Sequence, residues 1–221
     1  ISFTIKEGST LGIFGKTGSG KSTIANLLCR LYDTTRGNIT FNKINIKDLN
    51  LFNLRSSIGY IPQDGYLFSG SVKENISFAS DIIEQKEIES AVKKAEILKE
   101  INDFSNGFDT IIGERGVRLS GGQRQRLAIA RTFYKKPKLF IFDDCLSAID
   151  SNKEQKILKN LKAESKKKTS IIISHRISTL KEADHIIVLE SGKIIEQGNH
   201  NSLLKNKGSY YNINKNQNKS I

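Results

Sequence analysis

Residues Gly15-Lys16-Thr17-Gly18-Ser19-Gly20-Lys21-Ser22 fit the pattern G-x-x-x-x-G-K-[ST] without a gap, and little else constrains a chain so tightly. The apolar run Thr10 to Phe14 stops at Gly15, and a 3.6-residue stripe of Ile24, Leu27, Leu28 and Leu31 follows Ser22. The order is strand, glycine loop, helix. Such a loop turns main-chain N–H groups inward around an anion, and the helix behind it adds its partly positive N-terminus. The pattern predicts a phosphate cradle built by Gly15, Lys16, Thr17, Gly18, Ser19, Gly20, Lys21, Ser22 and Thr23. Lys21 would reach the β- and γ-phosphates, and Ser22 would hold Mg²⁺.

Further along, Arg36-Gly37 breaks the helical pattern, and Ile39-Thr40-Phe41 and Ile58-Gly59-Tyr60-Ile61 read as strands around a Leu-rich helical stretch from Asp48 to Arg55. From Ser71 to Lys136 the pattern is mainly helical, with Ile88, Ala91, Val92, Ala95, Leu98 and Ile101 on one face. Strand character returns at Leu139 to Phe142, at Ser170 to Ser174, and in a hairpin of Ile186 to Leu189 and Lys193 to Gln197 around Ser191-Gly192. A helix near Asn152 to Lys162 makes this a β-α-β series, hence a largely parallel sheet covered on both faces. The run Leu139-Phe140-Ile141-Phe142 ends in Asp143-Asp144, as where a buried parallel strand delivers an acid to the mouth of a sheet. Asp143 is the candidate carboxylate for Mg²⁺, opposite Ser22.

At 221 residues and 37% hydrophobic content the chain suits one α/β core plus a subdomain. The expected division is residues 1–63 and 137–211 as the core, 64–136 as a helical insertion, and 212–221 as a frayed, Asn/Lys/Ser-rich tail. No stretch approaches the roughly 18 to 20 apolar residues of a membrane helix. The chain opens without Met inside what reads as a strand, which implies that an upstream piece has been cut away. Cys29 and Cys145 lie far apart, in unlike contexts, and fit reduced buried thiols. The net charge of +12 comes mostly from scattered lysines, with one run at Lys166-Lys167-Lys168 and a tail from Lys205 that contains no acid. No aromatic residues interleave with that run, which reads as a solvated helix end; no nucleic acid is expected as a partner.

Leu119-Ser120-Gly121-Gly122-Gln123, followed by Arg124-Gln125-Arg126-Leu127, is a glycine pair leading into a second helix. With it, the sequence resembles the ATP-binding cassette of ABC transporters over nearly the whole chain. The resemblance implies a P-loop NTPase fold of RecA-like type, with a mostly parallel sheet, an inserted helical subdomain and a small N-terminal antiparallel part. It also implies that Ser120, Gly121, Gly122 and Gln123 cap ATP held on a partner's phosphate loop, so that two domains sandwich two ATP molecules head to tail. Gln63, after Tyr60-Ile61-Pro62, matches the Q-loop that joins Mg²⁺ and the attacking water to the membrane domains. Asp150 in Ser147-Ala148-Ile149-Asp150 matches the D-loop, and His175 in Ser174-His175-Arg176 matches the switch histidine at the γ-phosphate. Gly113-Glu114-Arg115-Gly116 and Leu67 to Ile76 resemble segments of the exporters in particular. The implied setting is the cytoplasmic side of a membrane, with transmembrane domains on the same full-length chain.

One departure from the pattern is Asp144, where the family has a glutamate that polarises the attacking water. Aspartate withdraws the carboxylate by about one C–C bond, roughly 1.5 Å. A displacement near 1 Å can cost on the order of 10²-fold in rate. Two readings follow: a degenerate site in a heterodimeric exporter, binding ATP but hydrolysing it slowly, or a homodimer in which Asp144 reaches the water after a small shift. The family's adenine-stacking aromatic lies some way before the phosphate loop, and neither Phe3 nor Phe14 matches it. A nucleic-acid- or ribosome-associated ABC ATPase is the rival from another class, suited by the charge but not by the exporter-like segments.

Overall fold

The computed structural model describes residues 1–78, 80, 83–113, 117–165 and 168–219. The chain begins with β1 (Thr10–Gly15), α1 (Lys21–Leu28), β2 (Thr40–Phe41), β3 (Ile44–Asn45), α2 (Leu51–Ser57) and β4 (Ile58–Ile61). β5 (Gly70–Ser71), α3 (Val72–Ile76), α4 (Gln85–Lys94), α5 (Leu98–Asn102), β6 (Ile111–Ile112) and α6 (Gly121–Lys135) follow. The remainder is β7 (Leu139–Asp143), α7 (Ser151–Ser165), β8 (Thr169–Ser174), α8 (Ile177–Leu180), β9 (His185–Glu190), β10 (Lys193–Gly198), α9 (His200–Asn206) and α10 (Ser209–Lys219). The chain divides into two units, residues 1–60, 138–144 and 165–221 in one and residues 61–137 and 145–164 in the other.

The first unit is built on a six-stranded sheet in the order β10-β9-β1-β8-β7-β4. β1 pairs in parallel with both β8 and β9, β7 pairs in parallel with β8, and β10 closes antiparallel on β9. The parallel strands are nearly continuous apolar runs because both faces are buried, and Ile13, Ile141 and Ile171 are wholly enclosed. α1 adds Ile24 and Ala25 to the same core, and α2 adds Leu54. The small antiparallel pair β2–β3 lies outside the main sheet. The expected opening strand does not form: residues 1–6 carry no regular pairing, and a turn in which Ser9 N–H donates to Lys6 O precedes β1.

The end of the chain differs from expectation. Where polar composition predicts fraying, α10 continues to Lys219, with residues 220 and 221 outside the described set. Its anchor is Tyr210, fully buried, edge-on to Phe14 at 5.5 Å and paired through its hydroxyl with His200 Nδ1 at 2.8 Å. Glu196, on β10, accepts the first amides of α10, Ser209 N–H and Tyr210 N–H, which places a carboxylate at the positive end of the helix. One buried aromatic and one anionic cap outweigh the polar tally of the other residues.

The second unit is helical apart from the short β5–β6 pair. α3 opens with a reciprocal capping box between Ser71 and Glu74. Asn75 then folds the preceding segment onto the helix, accepting from Phe68 N–H at 2.8 Å and donating to Phe68 O and Ser71 O. That network accounts locally for the Leu67 to Ile76 pattern. The Gly113 to Gly116 motif falls at residues 114–116, and the lysine run at 166 and 167, outside the described residues.

The division also differs from the expected one over residues 145–164. α7 packs with the helical unit because Ile157 and Leu161 are buried and Lys94–Glu164, Lys153–Glu100 and Lys156–Glu96 pair at 2.6, 2.7 and 3.4 Å. Glu100 is the hub, since it also meets the enclosed Arg126 at 2.6 Å. Partial burial favours the neutral acid, but the hydrogen bonds from Lys153 and Arg126 prevail and hold the Glu100 carboxyl at about 2. A depressed folded-state value stabilises the fold above the ordinary carboxylate range and loses that contribution as pH falls toward 2. Glu100→Gln, which removes the carboxylate charge facing Lys153 and the enclosed Arg126, is expected to cost about 1–3 kcal/mol at neutral pH. In denaturant unfolding at several pH values, the gap between wild type and variant should be constant above pH 4.5 and shrink between 4.5 and 2.

Candidate functional site

Parallel register brings three strand ends to one edge of the sheet in the first unit. Phe14 of β1 lies opposite Ser174 of β8, and Asp143 of β7 lies opposite Ile173 of β8. Gly15, which ends β1, and the next residues after β8 and β7, His175 and Asp144, therefore come together at the carboxyl edge of the sheet, where open α/β sheets bind ligands.

At that edge the loop after Gly15 turns into α1. Gly20, the residue before the helix, has φ +99°, a left-handed conformation open to glycine at little cost. The first turn of α1 holds no acid, and no side chain caps it. Its amides are left for an external anion. Lys21 extends back over the loop and donates from Nζ to Gly15 O at 2.8 Å and Lys16 O at 2.9 Å. Burial lowers the pKa of its ammonium, while Asp144 and Asp143 pull the other way. Thr17, Gly18 and Thr23 are exposed, and Ser19 is buried.

Ser22 Oγ donates to Asp143 Oδ1 at 3.1 Å, and Tyr60 donates its hydroxyl to Oδ2 at 3.2 Å. Asp143 is 3% exposed, and desolvation raises its pKa; the Ser22 and Tyr60 hydrogen bonds oppose the rise, Asp144 adds to it, and Lys21 opposes it. Asp144 sits at φ +50°, with its amide donating to Ile173 O at 2.9 Å. His175 Nδ1 lies 2.7 Å from Asp144 Oδ2 and 3.0 Å from Oδ1, so the imidazole faces both oxygens of this carboxylate. Lys21, Ser22, Asp143, Asp144 and His175 are thus linked by direct contact or through-space charge in one unit.

A hydroxyl and a carboxylate oxygen in contact suit a hard cation, and Mg²⁺ commonly takes one or two such protein ligands with phosphates and water completing its shell. The uncapped α1 amides and the Lys21 ammonium suit the phosphates. The residues present fit both groups.

The other expected residues belong to the second unit. Gln63 is exposed, and its carbonyl accepts from the buried Gln125 Nε2 at 2.7 Å. Ser120 caps α6 in a reciprocal box: Gln123 N–H donates to Ser120 Oγ at 3.2 Å and Ser120 N–H to Gln123 Oε1 at 2.9 Å. A Cβ on Gly122 would lie 2.9 Å from Ala148 O, so this position admits no side chain without a backbone shift. Asp150 caps α7, accepting from Lys153 N–H at 3.0 Å. Sequence reasoning missed Tyr60 and Gln125, since a strand tyrosine and a helical glutamine carry no motif that marks them as partners of Asp143 and Gln63.

The family model described as ABC transporter matches residues 1–147. The probable multidrug resistance ABC transporter ATP-binding/permease protein YheI of Bacillus subtilis is 46% identical over 210 residues, 95% of this chain and 36% of the relative. The ATP-dependent lipid A-core flippase of Haemophilus influenzae is 44% identical over 211 residues, with the same coverage. A solved structure of a bacterial Atm1-family ABC exporter with ATP bound superposes with a TM-score of 0.94 at 40% identity, covering 98% of this chain and 38% of that one. The chain thus spans little more than a third of the length of the relatives it matches. With its phosphate loop, its mostly parallel sheet and a family model matched across residues 1–147 of its 221, the chain belongs to the ABC transporter family.

Proposed function

We propose that this chain is the nucleotide-binding domain of an ABC exporter, in which MgATP binding and hydrolysis drive a substrate across a membrane. The observation that carries the reading is the Ser22–Asp143 contact at 3.1 Å on the same sheet edge as Lys21 and the Asp144–His175 pair. The names of the relatives, a multidrug resistance ABC transporter and a lipid A-core flippase, and the similar solved structure of an ABC exporter support the transport half of it. The cargo belongs to membrane domains, which are proposed to lie on the same full-length chain, with this domain on the cytoplasmic side. The active unit is proposed to be a head-to-tail pair of such domains. Ser120, Gly121, Gly122 and Gln123 of each would cap the nucleotide on the other, and Asp150 would lie at their junction.

Within one domain, the loop amides of residues 15–23 and Lys21 hold the phosphates. Ser22 and Asp143 would hold Mg²⁺, with Tyr60 and Ser22 keeping the desolvated Asp143 carboxylate oriented. Bound there, Mg²⁺ would supply positive charge to offset the negative charge that builds up on the phosphate oxygens. Asp144 accepts the proton of the attacking water and aligns it for in-line approach to the γ-phosphorus. His175 fixes Asp144 through Nδ1 and offers Nε2 to the γ-phosphate.

Two measurements test this assignment. Lys21→Ala removes a charge-assisted contact worth about 1.5–3 kcal/mol, so MgATP should bind on the order of ten- to a hundredfold more weakly in a fluorescent-nucleotide titration. Unchanged binding would remove the phosphate-loop reading. Asp144→Glu should raise Mg²⁺-dependent phosphate release by tenfold or more, because the longer acid regains the reach that aspartate lacks. Equal and appreciable rates would instead mean that Asp144 does the full work and that two identical domains suffice.

A further inference from the structure

The turn that carries His175 is held from outside the sheet. Gln217, near the end of α10, donates from Nε2 to His175 O at 2.7 Å and accepts at Oε1 from Ile177 N–H at 3.0 Å. One planar amide therefore grips the peptide groups on either side of Arg176. The grip also meets a local need, because α8 begins at Ile177 with no side-chain cap from its own entry residue. From the other direction, Ser174 Oγ accepts from Arg176 N–H at 3.0 Å. The four-residue stretch from Ser174 to Ile177 thus has its polar main chain fixed on both sides.

Gln217 can act this way only because the helix beneath it is itself anchored. At its start, α10 has the Glu196 carboxylate on its first amides and the fully buried Tyr210 against Phe14. Eleven residues of α-helix span about 16 Å, enough to carry that anchorage from the β9–β10 hairpin to the His175 turn. At the turn, the imidazole reaches Asp144 at 2.7 Å, a contact that a rotation of the His175 peptide would break.

We propose that Gln217 is a positioning residue for hydrolysis: by clamping His175 O and Ile177 N–H it sets the direction in which the imidazole leaves the chain, and so the His175–Asp144 contact. This rests on the role proposed above for His175. Both polar atoms of the side chain are taken up by the main chain of the His175 turn, so its effect belongs to turnover rather than to nucleotide affinity.

The test is Gln217→Leu, which keeps the bulk of the side chain and removes both hydrogen bonds, made in the full-length protein alone and together with His175→Ala. Turnover of MgATP is expected to fall about tenfold, as for a sub-ångström to 1 Å misplacement, while the MgATP dissociation constant stays within about twofold. In the His175→Ala background the same change should have no further effect. A second readout does not depend on turnover. The ring resonance of His175, identified by its loss in His175→Ala, should shift or broaden in Gln217→Leu while that of His185, identified in the same way by His185→Ala, stays in place. An unmoved His175 resonance overturns the proposal. So does an equal fall in turnover without His175, or a parallel loss of MgATP binding, since either would make Gln217 a general prop. Should His175→Ala itself leave turnover intact, the catalytic reading of His175 is what fails, and the resonance still decides whether Gln217 positions the ring.

Discussion

A strand slid by one residue along its neighbour turns every side chain to the opposite face, so a sheet buried on both sides holds its register tightly. The pairing of β1, β8 and β7 is held by such enclosed residues as Ile13, Ile171 and Ile141. That apolar contact decides the chemistry: it aligns the ends of the three strands, so that the glycine loop, the two aspartates and the histidine emerge beside one another. Of the polar residues at the edge only Asp143 lies within the register, opposite Ile173. The others inherit their geometry from the isoleucines of the strands that precede them.

The same burial sets the electrostatics. Asp143 ends a strand wholly surrounded by apolar groups, and desolvation makes its anion costly. Two hydroxyls, Ser22 and Tyr60, and the nearby Lys21 ammonium offset part of that cost. A carboxylate only partly compensated by its own chain is well placed to welcome a cation. Lys21 is in the converse state, partly desolvated and satisfied by two carbonyls of its own loop. Opposite charges at close quarters, each incompletely solvated, form a surface matched to a metal–phosphate ligand rather than to either ion alone.

Much of this was legible in the residue order. The phosphate loop, the β7 run ending in Asp143 and the β8 run ending before His175 carry local signals strong enough to locate one end of each strand. What composition misjudged was long-range. The polar stretch after Tyr211 reads as frayed because a window of asparagine and lysine cannot reveal that Tyr210 is plugged against Phe14 or that Glu196 waits for its amides. α7 reads as a core helix by its place between two strands, yet the ion pairs of Lys94, Lys153 and Lys156 commit it to the helical unit. Partners such as Tyr60 and Gln217 become visible only once the chain has folded, because they act through single hydrogen bonds to residues 83 and 42 positions away.

The left-handed backbone at Asp144 bears on why an aspartate stands there. Aspartate visits φ values near +50° several-fold more readily than most side chains do, because its short polar group can bond locally, whereas glutamate has no such advantage. The shorter acid therefore eases this left-handed bend at the sheet edge and, on the role proposed for it, draws the carboxylate back from the place where water would be activated. Under that proposal, conformational ease and chemical reach compete at a single residue.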